Sequence, residues 1–319
     1  MKFYLAPMEG VTGYIYRNAY HDFFHPMDKY FTPFIVPKSL HKQNNKEIKD
    51  ILPENNTAAP IIPQLLTNNA VDFINMAKGL KAMGYTEINL NLGCPSGTVV
   101  AKGKGAGFLA EPLELDNFLY KIFSELGDMK LSVKTRLGMD SPDEFEDLLN
   151  IYNRYAMEEL IIHPRVRKDM YKNTPNMEAF GYAMELSKNT VIYNGDIFSA
   201  VAYDRLIDKF PQVQGVMLGR GIIANPGLLD EICLGAEARA EMSCTNEPLA
   251  KEKLRAFHDR LLNDYSKIMS GDRNLLFRMK ELWNYMGGLF PDGGKLLKKI
   301  KKAERLADYM AAVDGLFSL

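Results

Sequence analysis

Cysteine is scarce in this sequence, and its few residues are isolated. The 319 residues include three cysteines, Cys94, Cys233 and Cys244, with no CxxC pair among them. An odd and sparse set of this kind indicates a reducing compartment rather than a disulfide framework. Because no Cys/His cluster has the spacing of metal ligands, we expect neither a zinc site nor another bound metal.

Long hydrophobic runs and a strong charge of one sign are also lacking. No stretch approaches the roughly 18 apolar residues of a transmembrane helix, and the apolar run in MKFYLAPMEG is too short for a signal peptide. The net charge is −1, which points to no particular partner. We therefore expect a cytoplasmic monomer that does not associate with membranes.

What the sequence does contain is a series of eight short apolar runs. Several are apolar at successive positions, which is typical of parallel strands covered on both faces. A hydrophobic fraction of 46% provides for the sizeable core that such strands need. The runs are FYLAPM (3–8), KYFTPFIV (29–36), APIIPQLL (59–66), EINLNLGC (87–94), LSVKTRLG (131–138), ELIIHPR (159–165), VIYNGDI (191–197) and GVMLGRG (215–221).

Helical patterns separate most of these runs, and their ends carry capping signals. One of the two asparagines at 68–69 can cap a helix that Gly84 ends. Ser141 followed by Glu144 predicts a capping box, and Ser199 occupies the same starting position in SAVAYDRLIDKF.

This alternation predicts a closed parallel (β/α)8 TIM barrel, with an open doubly wound sheet as the alternative. Polar residues at the carboxyl ends of the runs favour the barrel, because a barrel collects these ends on one rim, where barrel enzymes have their sites. They are Gln64, Asn91, Lys134, Arg136, His163, Arg165, Asn194, Asp196 and Arg220.

Beyond about residue 240 only helical patterns follow, after a linker-like segment at 235–250. We therefore expect a catalytic barrel at 1–240 and a small all-helical domain at 246–319. The latter holds 14 Lys/Arg and 10 Asp/Glu, a net charge of +4, against −5 for the remainder. This contrast indicates a polyanionic partner, although a solvated helix face is the alternative for KKIKK. The helical stretches are 248–270, 273–290 and 294–317.

Cationic side chains at several strand ends predict a site for an anionic cofactor. VKTR places Lys134 and Arg136 on one face of a strand, where buried cations are costly unless an anion neutralises them. HPR repeats the arrangement with His163 and Arg165, and GVMLGRGIIANPG adds Arg220 and glycines that let a phosphate approach the backbone. Because the first run lacks GxGxxG, a flavin phosphate fits better than a dinucleotide.

Together these motifs resemble the tRNA-dihydrouridine synthase family, over nearly the whole chain. The resemblance implies an FMN-dependent barrel followed by a helical RNA-binding domain, with tRNA as partner and NADPH or NADH as reductant. The matching segments are LAPMEGVT, NLNLGCPS, VKTRLG, HPR with Tyr171, NGDI, GRG…NPGL and RMKELWNYMGGL.

The same resemblance implies roles for individual residues. Cys94 is the expected catalytic acid, and Asn91, Arg165 and Tyr171 are expected to line the uracil pocket. The expected cofactor contacts are Pro7, Met8, Glu9, Gln64, Lys134, His163, Asn194, Gly195, Asp196, Gly219 and Arg220.

Two segments depart from the family pattern. A flexible GTVVAKGKGAG loop follows Cys94 in place of a Lys-rich continuation, so Lys102 and Lys104 would meet phosphate from different positions. Pro164 stands where the family has glycine. Both departures concern recognition of the target nucleotide.

The implied chemistry explains why a strand ends on cysteine. Reducing the uracil 5,6 double bond needs a hydride at C6, which a reduced flavin supplies, and a proton at C5. A thiol with an ordinary pKa of about 8.5 is protonated at neutral pH and can donate that proton. The alternatives are an FMN-barrel reductase of a free metabolite (dihydroorotate dehydrogenase-like), a synthase acting on ribosomal RNA, and an RNA-binding protein with an inactive barrel.

Overall fold

The computed structural model describes residues 1–37, 45–242 and 249–319, and its centre is a parallel sheet of nine strand segments. Their order in the sheet is β3-β2-β1-β9-β8-β7-β6-β5-β4. The segments are β1 (Lys2–Leu5), β2 (Lys29–Phe31), β3 (Ile61–Ile62), β4 (Gln64–Leu65), β5 (Glu87–Leu92), β6 (Lys130–Arg136), β7 (Leu160–His163), β8 (Val191–Tyr193) and β9 (Gly215–Leu218).

The two ends of this order, β3 and β4, are halves of one predicted strand. Pro63 separates them because proline has no N–H to donate to a ladder. Its carbonyl still accepts from the Asn89 N–H at 2.9 Å, and β3 pairs with β2 while β4 pairs with β5. The sheet is therefore the predicted eight-stranded (β/α)8 barrel with one interrupted strand, and the open-sheet alternative is wrong.

The barrel interior is layered, and the period of two along each strand decides which residues face it. An apolar cluster comprises Tyr4, Ala6, Phe31, Ile62, Ile161, Ile192 and Met217. Several of these apolar residues are followed two positions later by a polar residue, for example Ile62 by Gln64 and Ile161 by His163. The apolar layer thus supports a polar layer at the carboxyl ends of the strands.

A buried ion cluster closes the opposite, amino-terminal ends of the strands. Glu159, whose side chain is 1% exposed, accepts from the Tyr4 hydroxyl and lies 3.0 Å from Lys29 Nζ. Lys29 also reaches Glu87 at 2.8 Å. Burial opposes the charge on Lys29, but its two carboxylate partners outweigh burial and raise its pKa. The cluster holds β1, β2, β5 and the start of β7 together.

Helices alternate with the strands and then continue alone to the end of the chain. Within the described ranges, none is long and apolar enough to cross a membrane. They are α1 (Tyr14–Phe23), α2 (Asn45–Ile51), α3 (Ala70–Ala82), α4 (Gly97–Val100), α5 (Pro112–Glu125), α6 (Glu144–Tyr152), α7 (Met177–Leu186), α8 (Ala200–Lys209), α9 (Arg220–Ala224), α10 (Leu228–Met242), α11 (Leu249–Ile268), α12 (Gly271–Met286), α13 (Gly294–Lys302) and α14 (Leu306–Phe317).

Two of the predicted caps are confirmed, and one forms differently. The Asn69 side chain accepts from the N–H of Asp72 at 3.1 Å, and Ser199 Oγ accepts from the N–H of Ala202 at 3.2 Å. The helix expected to start at Ser141 begins at Glu144, after a turn. The Glu144 carboxylate still makes the capping-box bond to the Ser141 N–H, at 2.7 Å.

The C-terminal helices differ from the sequence-based expectation at two places. The stretch 294–317 is two helices rather than one, because the Asp272 carboxylate accepts from the Leu306 N–H at 2.8 Å and caps α14 as a new helix. The expected linker at 235–250 is helical as far as Met242, with a turn at Gly235, whose φ is +76°. Residues 243–248 of that linker lie outside the described ranges.

The chain divides into two compact units. All nine strand segments belong to the first, and the second packs Phe257 of α11 against Tyr16 and Phe24, with ring centroids 5.7 and 5.1 Å apart. The first unit is Met1–Glu9, Met27–Asp196 and Leu206–Leu218, and the second is Gly10–Pro26, Ile197–Arg205 and Gly219–Leu319.

Candidate active site

A chain of side-chain amides crosses the polar layer and ends at the Cys94 turn. Asn89 Nδ2 donates to Ser132 Oγ at 3.0 Å, and Gln64 Nε2 donates to Asn89 Oδ1 at 2.8 Å. Asn91 Nδ2 in turn donates to Gln64 Oε1 at 2.7 Å. Because each amide is fixed by the previous one, the orientation of Asn91 is set by residues deep in the barrel.

Asn91 transmits this order to the backbone at Cys94. Its Oδ1 accepts from the N–H of Gly93 at 3.0 Å and from that of Cys94 at 2.9 Å. The Cys94 carbonyl accepts from the Ala106 N–H at 3.0 Å. The cysteine is thus held on both sides by main-chain bonds that do not involve its sulfur.

The thiol is half-buried, and its electrostatic surroundings are mixed. Burial raises the pKa of Cys94, although the nearby charges of Arg136 and Lys134 and a backbone bond at Ser96 oppose the increase. The net effect favours the protonated thiol at neutral pH. A protonated sulfur at a strand end can serve as a proton donor.

Lys134 is a cation without a counter-ion in the part of the chain that the structure describes. Burial, together with the positive charge of Arg136, lowers its pKa to about 7, and Cys94 acts in the opposite direction. An anionic ligand would therefore restore the charge on this lysine, which is the behaviour expected of a ligand contact.

Arg136 was expected among the cations at the strand ends but was assigned no individual role, although it lies on the same face of β6 as Lys134. Its Nε donates to the Gly93 carbonyl at 2.9 Å, and its Nη2 donates to the Met170 carbonyl at 2.7 Å. Burial lowers its pKa to about 10, so it remains charged at neutral pH. Arg136 ties the Cys94 turn to the loop after β7, and the period of two was the signal that pointed to it.

The loop after β7 has an unusual backbone. Met170 and Asn173 have φ values of 54° and 57°, in the left-handed region that few non-glycine residues adopt. Between them, Tyr171 is 54% exposed, and the Arg136 guanidinium lies over its ring at 5.6 Å from the centroid. The loop therefore presents the solvent-exposed ring of Tyr171 next to the Arg136 guanidinium.

Arg165 stabilises the same loop from below. Its side chain is 0% exposed and forms an ion pair with Asp196, and it also donates to His163. Its remaining bonds go to the carbonyls of Lys172 and Asn173. The predicted contact of Arg165 with uracil would have to replace one of these bonds.

The structure places the other predicted residues as follows. Gln64 is fully buried and bonded within the amide chain, and Asn194 donates to the Met217 carbonyl at 2.8 Å. A Cβ at Gly195 would lie 2.1 Å from the Tyr193 hydroxyl, so this position accepts no side chain. Pro7, Met8 and Glu9 follow β1 and are partly or fully exposed. Gly219 and Arg220 lie at the start of α9, in the second unit.

The segment after Cys94 is more regular than the flexible loop expected from the sequence. Residues 97–100 form α4, and Gly105–Ala110 form a 3-10 helix. Gly105 has a φ of +57°, and a Cβ there would lie 2.9 Å from the Cys94 carbonyl oxygen. This close approach fixes the segment against the cysteine, and the glycines that suggested mobility serve tight packing instead.

Comparison with known proteins identifies the family of this chain. Residues 4–306 match the family model described as dihydrouridine synthase. A probable tRNA-dihydrouridine synthase of Staphylococcus epidermidis is 33% identical over 230 residues, which is 70% of this chain and 69% of that protein. A probable tRNA-dihydrouridine synthase 2 of Bacillus subtilis is 30% identical over 230 residues, 70% of each chain.

Solved structures with the same fold are more distant in sequence. Histamine dehydrogenase from Rhizobium sp. 4-9 superposes with a TM-score of 0.54 at 13% identity, over 75% of this chain and 46% of that one. The old yellow enzyme from Trypanosoma cruzi gives 0.51 at 9% identity, over 73% and 88%. At such identities the likeness shows the fold alone.

The fold and the polar rim thus define a (β/α)8-barrel enzyme. With the family match over most of its length, the chain belongs to the dihydrouridine synthase family, which is a family of oxidoreductases. Among the described residues, no group of three or more His, Cys, Asp or Glu side chains is arranged to hold a metal ion.

Proposed function

We propose that this protein reduces uridine in tRNA to 5,6-dihydrouridine, with FMN as cofactor and NADPH or NADH as reductant. The observation that carries the proposal is the pairing of a thiol kept protonated by burial with a neighbouring lysine that has no counter-ion among the described residues. The names of the two bacterial relatives support tRNA as the substrate.

The residues present fit a flavin. Lys134 offers its ammonium to an anionic ring edge, and the amide chain through Gln64 and Asn91 supplies fixed hydrogen-bonding groups. When bound, the reduced flavin would supply the hydride for uracil C6. We assign the cofactor to the predicted contacts of the first unit, which are Pro7, Met8, Glu9, Gln64, Lys134, His163, Asn194, Gly195 and Asp196; the assignments of Gly219 and Arg220 stay sequence predictions.

Cys94 would donate the proton to uracil C5. Its sulfur can act only in the protonated form, and burial favours that form. Arg136 and Asn91 hold the strand end so that the sulfur keeps one position while the ring is reduced. Tyr171, which is exposed beside Arg136, would stack on a uracil extruded from the RNA.

The helical part would contribute affinity for RNA. A cleft of about 760 Å³ lies along α13 and α14, and its lining includes Lys298, Lys299, Lys302 and Arg305. Glu304 and Asp308 also line it, so the cleft carries both charges with cations in excess. Phosphate oxygens of an RNA backbone are the complementary partner for such a surface.

The proposal is tested by mapping dihydrouridine in RNA from a strain that lacks this gene. We expect one or more tRNA positions to lose the modification and to recover it when the wild-type gene returns. Unchanged tRNA with a loss in ribosomal RNA would transfer the function to that substrate. Purified protein that carries no flavin after incubation with FMN would contradict the cofactor assignment, and turnover of free orotate or enoates without RNA would favour a metabolite reductase.

A further inference from the structure

The guanidinium of Arg165 is saturated with hydrogen bonds. Nε donates to the Lys172 carbonyl at 3.0 Å, and Nη1 donates to His163 Nε2 and to Asp196 Oδ1, each at 3.0 Å. Nη2 donates to the Asn173 carbonyl and to Asp196 Oδ2, each at 2.5 Å. A guanidinium has five N–H groups, and these five bonds occupy all of them.

The bond to His163 determines which ring nitrogen carries the proton. A guanidinium has no acceptor and stays charged, so His163 Nε2 must accept, and the hydrogen of the neutral ring must lie on Nδ1. We propose that Arg165 is a positioning residue that fixes His163 as the neutral Nδ1–H tautomer and joins it to Asp196 and the loop after β7.

The surroundings of His163 support a neutral ring. Arg165 contacts it directly, and Arg136 lies opposite it in the β6–β7 register. Lys134 lies on the same face of β6 as Arg136, and both carboxylate oxygens of Asp196 accept hydrogen bonds from Arg165. A second proton on His163 would point at a donor and would be surrounded mainly by cations.

The consequence for chemistry concerns what His163 can bind. With Nε2 occupied by Arg165, any further hydrogen bond of the neutral ring nitrogens is one that Nδ1 donates, so its partner must be an acceptor. The identity of any ligand there rests on the proposed function, whereas the tautomer does not. Arg165 also donates to the carbonyl of Asn173, where the backbone is in the left-handed region. The guanidinium therefore couples the His163 ring to the conformation of the loop after β7.

The tautomer can be read directly by NMR. The chain has five histidines, so protein labelled with ¹⁵N-histidine gives few ring signals, and the His163→Gln variant assigns one of them. We expect His163 to show a protonated Nδ1 and a bare, hydrogen-bonded Nε2 at neutral pH. An Nε2–H tautomer or an imidazolium in the wild-type protein at pH 7 would overturn the proposal without any further variant.

Arg165→Lys separates positioning from general structural support. Lysine retains the charge but lacks the planar fork, so the single Nδ1–H form of His163 should be lost in favour of mixed or titrating signals. His258 is the internal control, because it is buried in the second unit and bonds Tyr309 through Nε2 at 2.7 Å; its signals should not change. An unchanged His163 spectrum in a folded Arg165→Lys protein would show that another group fixes the ring. If the wild-type protein shows the Nδ1–H tautomer of His163 but does not reduce uridine in RNA, the result counts against the proposed function and not against the tautomer.

Discussion

Replacing Cys94 by alanine should separate the two half-reactions of the enzyme. The main-chain bonds that hold this residue go to Asn91 and Ala106 and do not involve the sulfur, so the turn should survive the substitution. Flavin reduction by NADPH requires no thiol and should retain its wild-type rate. Reoxidation by RNA requires a proton at C5 and should slow by about two to four orders of magnitude, which is about 3–5 kcal/mol of activation free energy.

The assay is a pair of anaerobic stopped-flow measurements, flavin bleaching with NADPH followed by reoxidation on adding unmodified tRNA. Cys233→Ala is the matched control, because Cys233 is an exposed cysteine on α10 and its loss should change neither phase. Burial raises the pKa of Cys94 above the ordinary value of a thiol, so in the wild type the reoxidation rate should stay level through neutral pH and fall only in the alkaline range. If Cys94→Ala reoxidises as fast as the wild type, the cysteine is not the acid, and Tyr171 becomes the next candidate.

Three other perturbations test separate parts of the molecule. Because burial lowers the pKa of Lys134 to about 7, FMN affinity measured by fluorescence should fall as pH rises above 7, by up to about tenfold per pH unit. Lys134→Met should weaken FMN binding and remove this pH dependence. A wild-type FMN affinity that does not change with pH in this range would refute the contact. Neutralising the four lysines of KKIKK should weaken tRNA binding and should reduce the slope of log affinity against log salt concentration by about 0.7–0.9 for each phosphate that is no longer neutralised. Neutralising Lys78 and Lys81, which are exposed on α3, should change neither quantity. Equal effects of the two sets would show only a general loss of positive charge. Glu159→Gln should lower the free energy of unfolding by about 3 kcal/mol in urea titrations, because it removes one of the two carboxylates that compensate the largely buried Lys29. A loss below about 1 kcal/mol, the value of a surface ion pair, would mean that Glu87 suffices for Lys29.

The positions of the elements followed from local features of the sequence. Short apolar runs alternate with capped helical patterns, and both depend on neighbours within a few residues. The caps at Asn69 and Ser199 formed as predicted, since an N-cap bonds its own helix three residues ahead. The position of Cys94 at the end of an apolar run was predicted for the same reason, whereas its expected role as an acid came from the family resemblance.

Contacts between distant segments changed several expectations. The single helix expected at 294–317 divides because Asp272, 34 positions before Leu306, caps the second half. The segment after Cys94 is ordered by Gly105, which packs against the carbonyl oxygen and the side chain of the cysteine. In each case the deciding partner lies beyond the reach of periodicity.

The sequence by itself determined that a barrel would form, that its strand ends would carry cations, and that a cysteine would stand among them. Only the tertiary structure decided what each cation does there. Lys134 lacks a counter-ion among the described residues, while Arg165 has every N–H engaged, although both were predicted from the same pattern of basic residues at a strand end. The reason is physical: a guanidinium is satisfied by acceptors from several chain segments at once, here β7, the loop after it and Asp196, and their meeting exists only in the folded barrel.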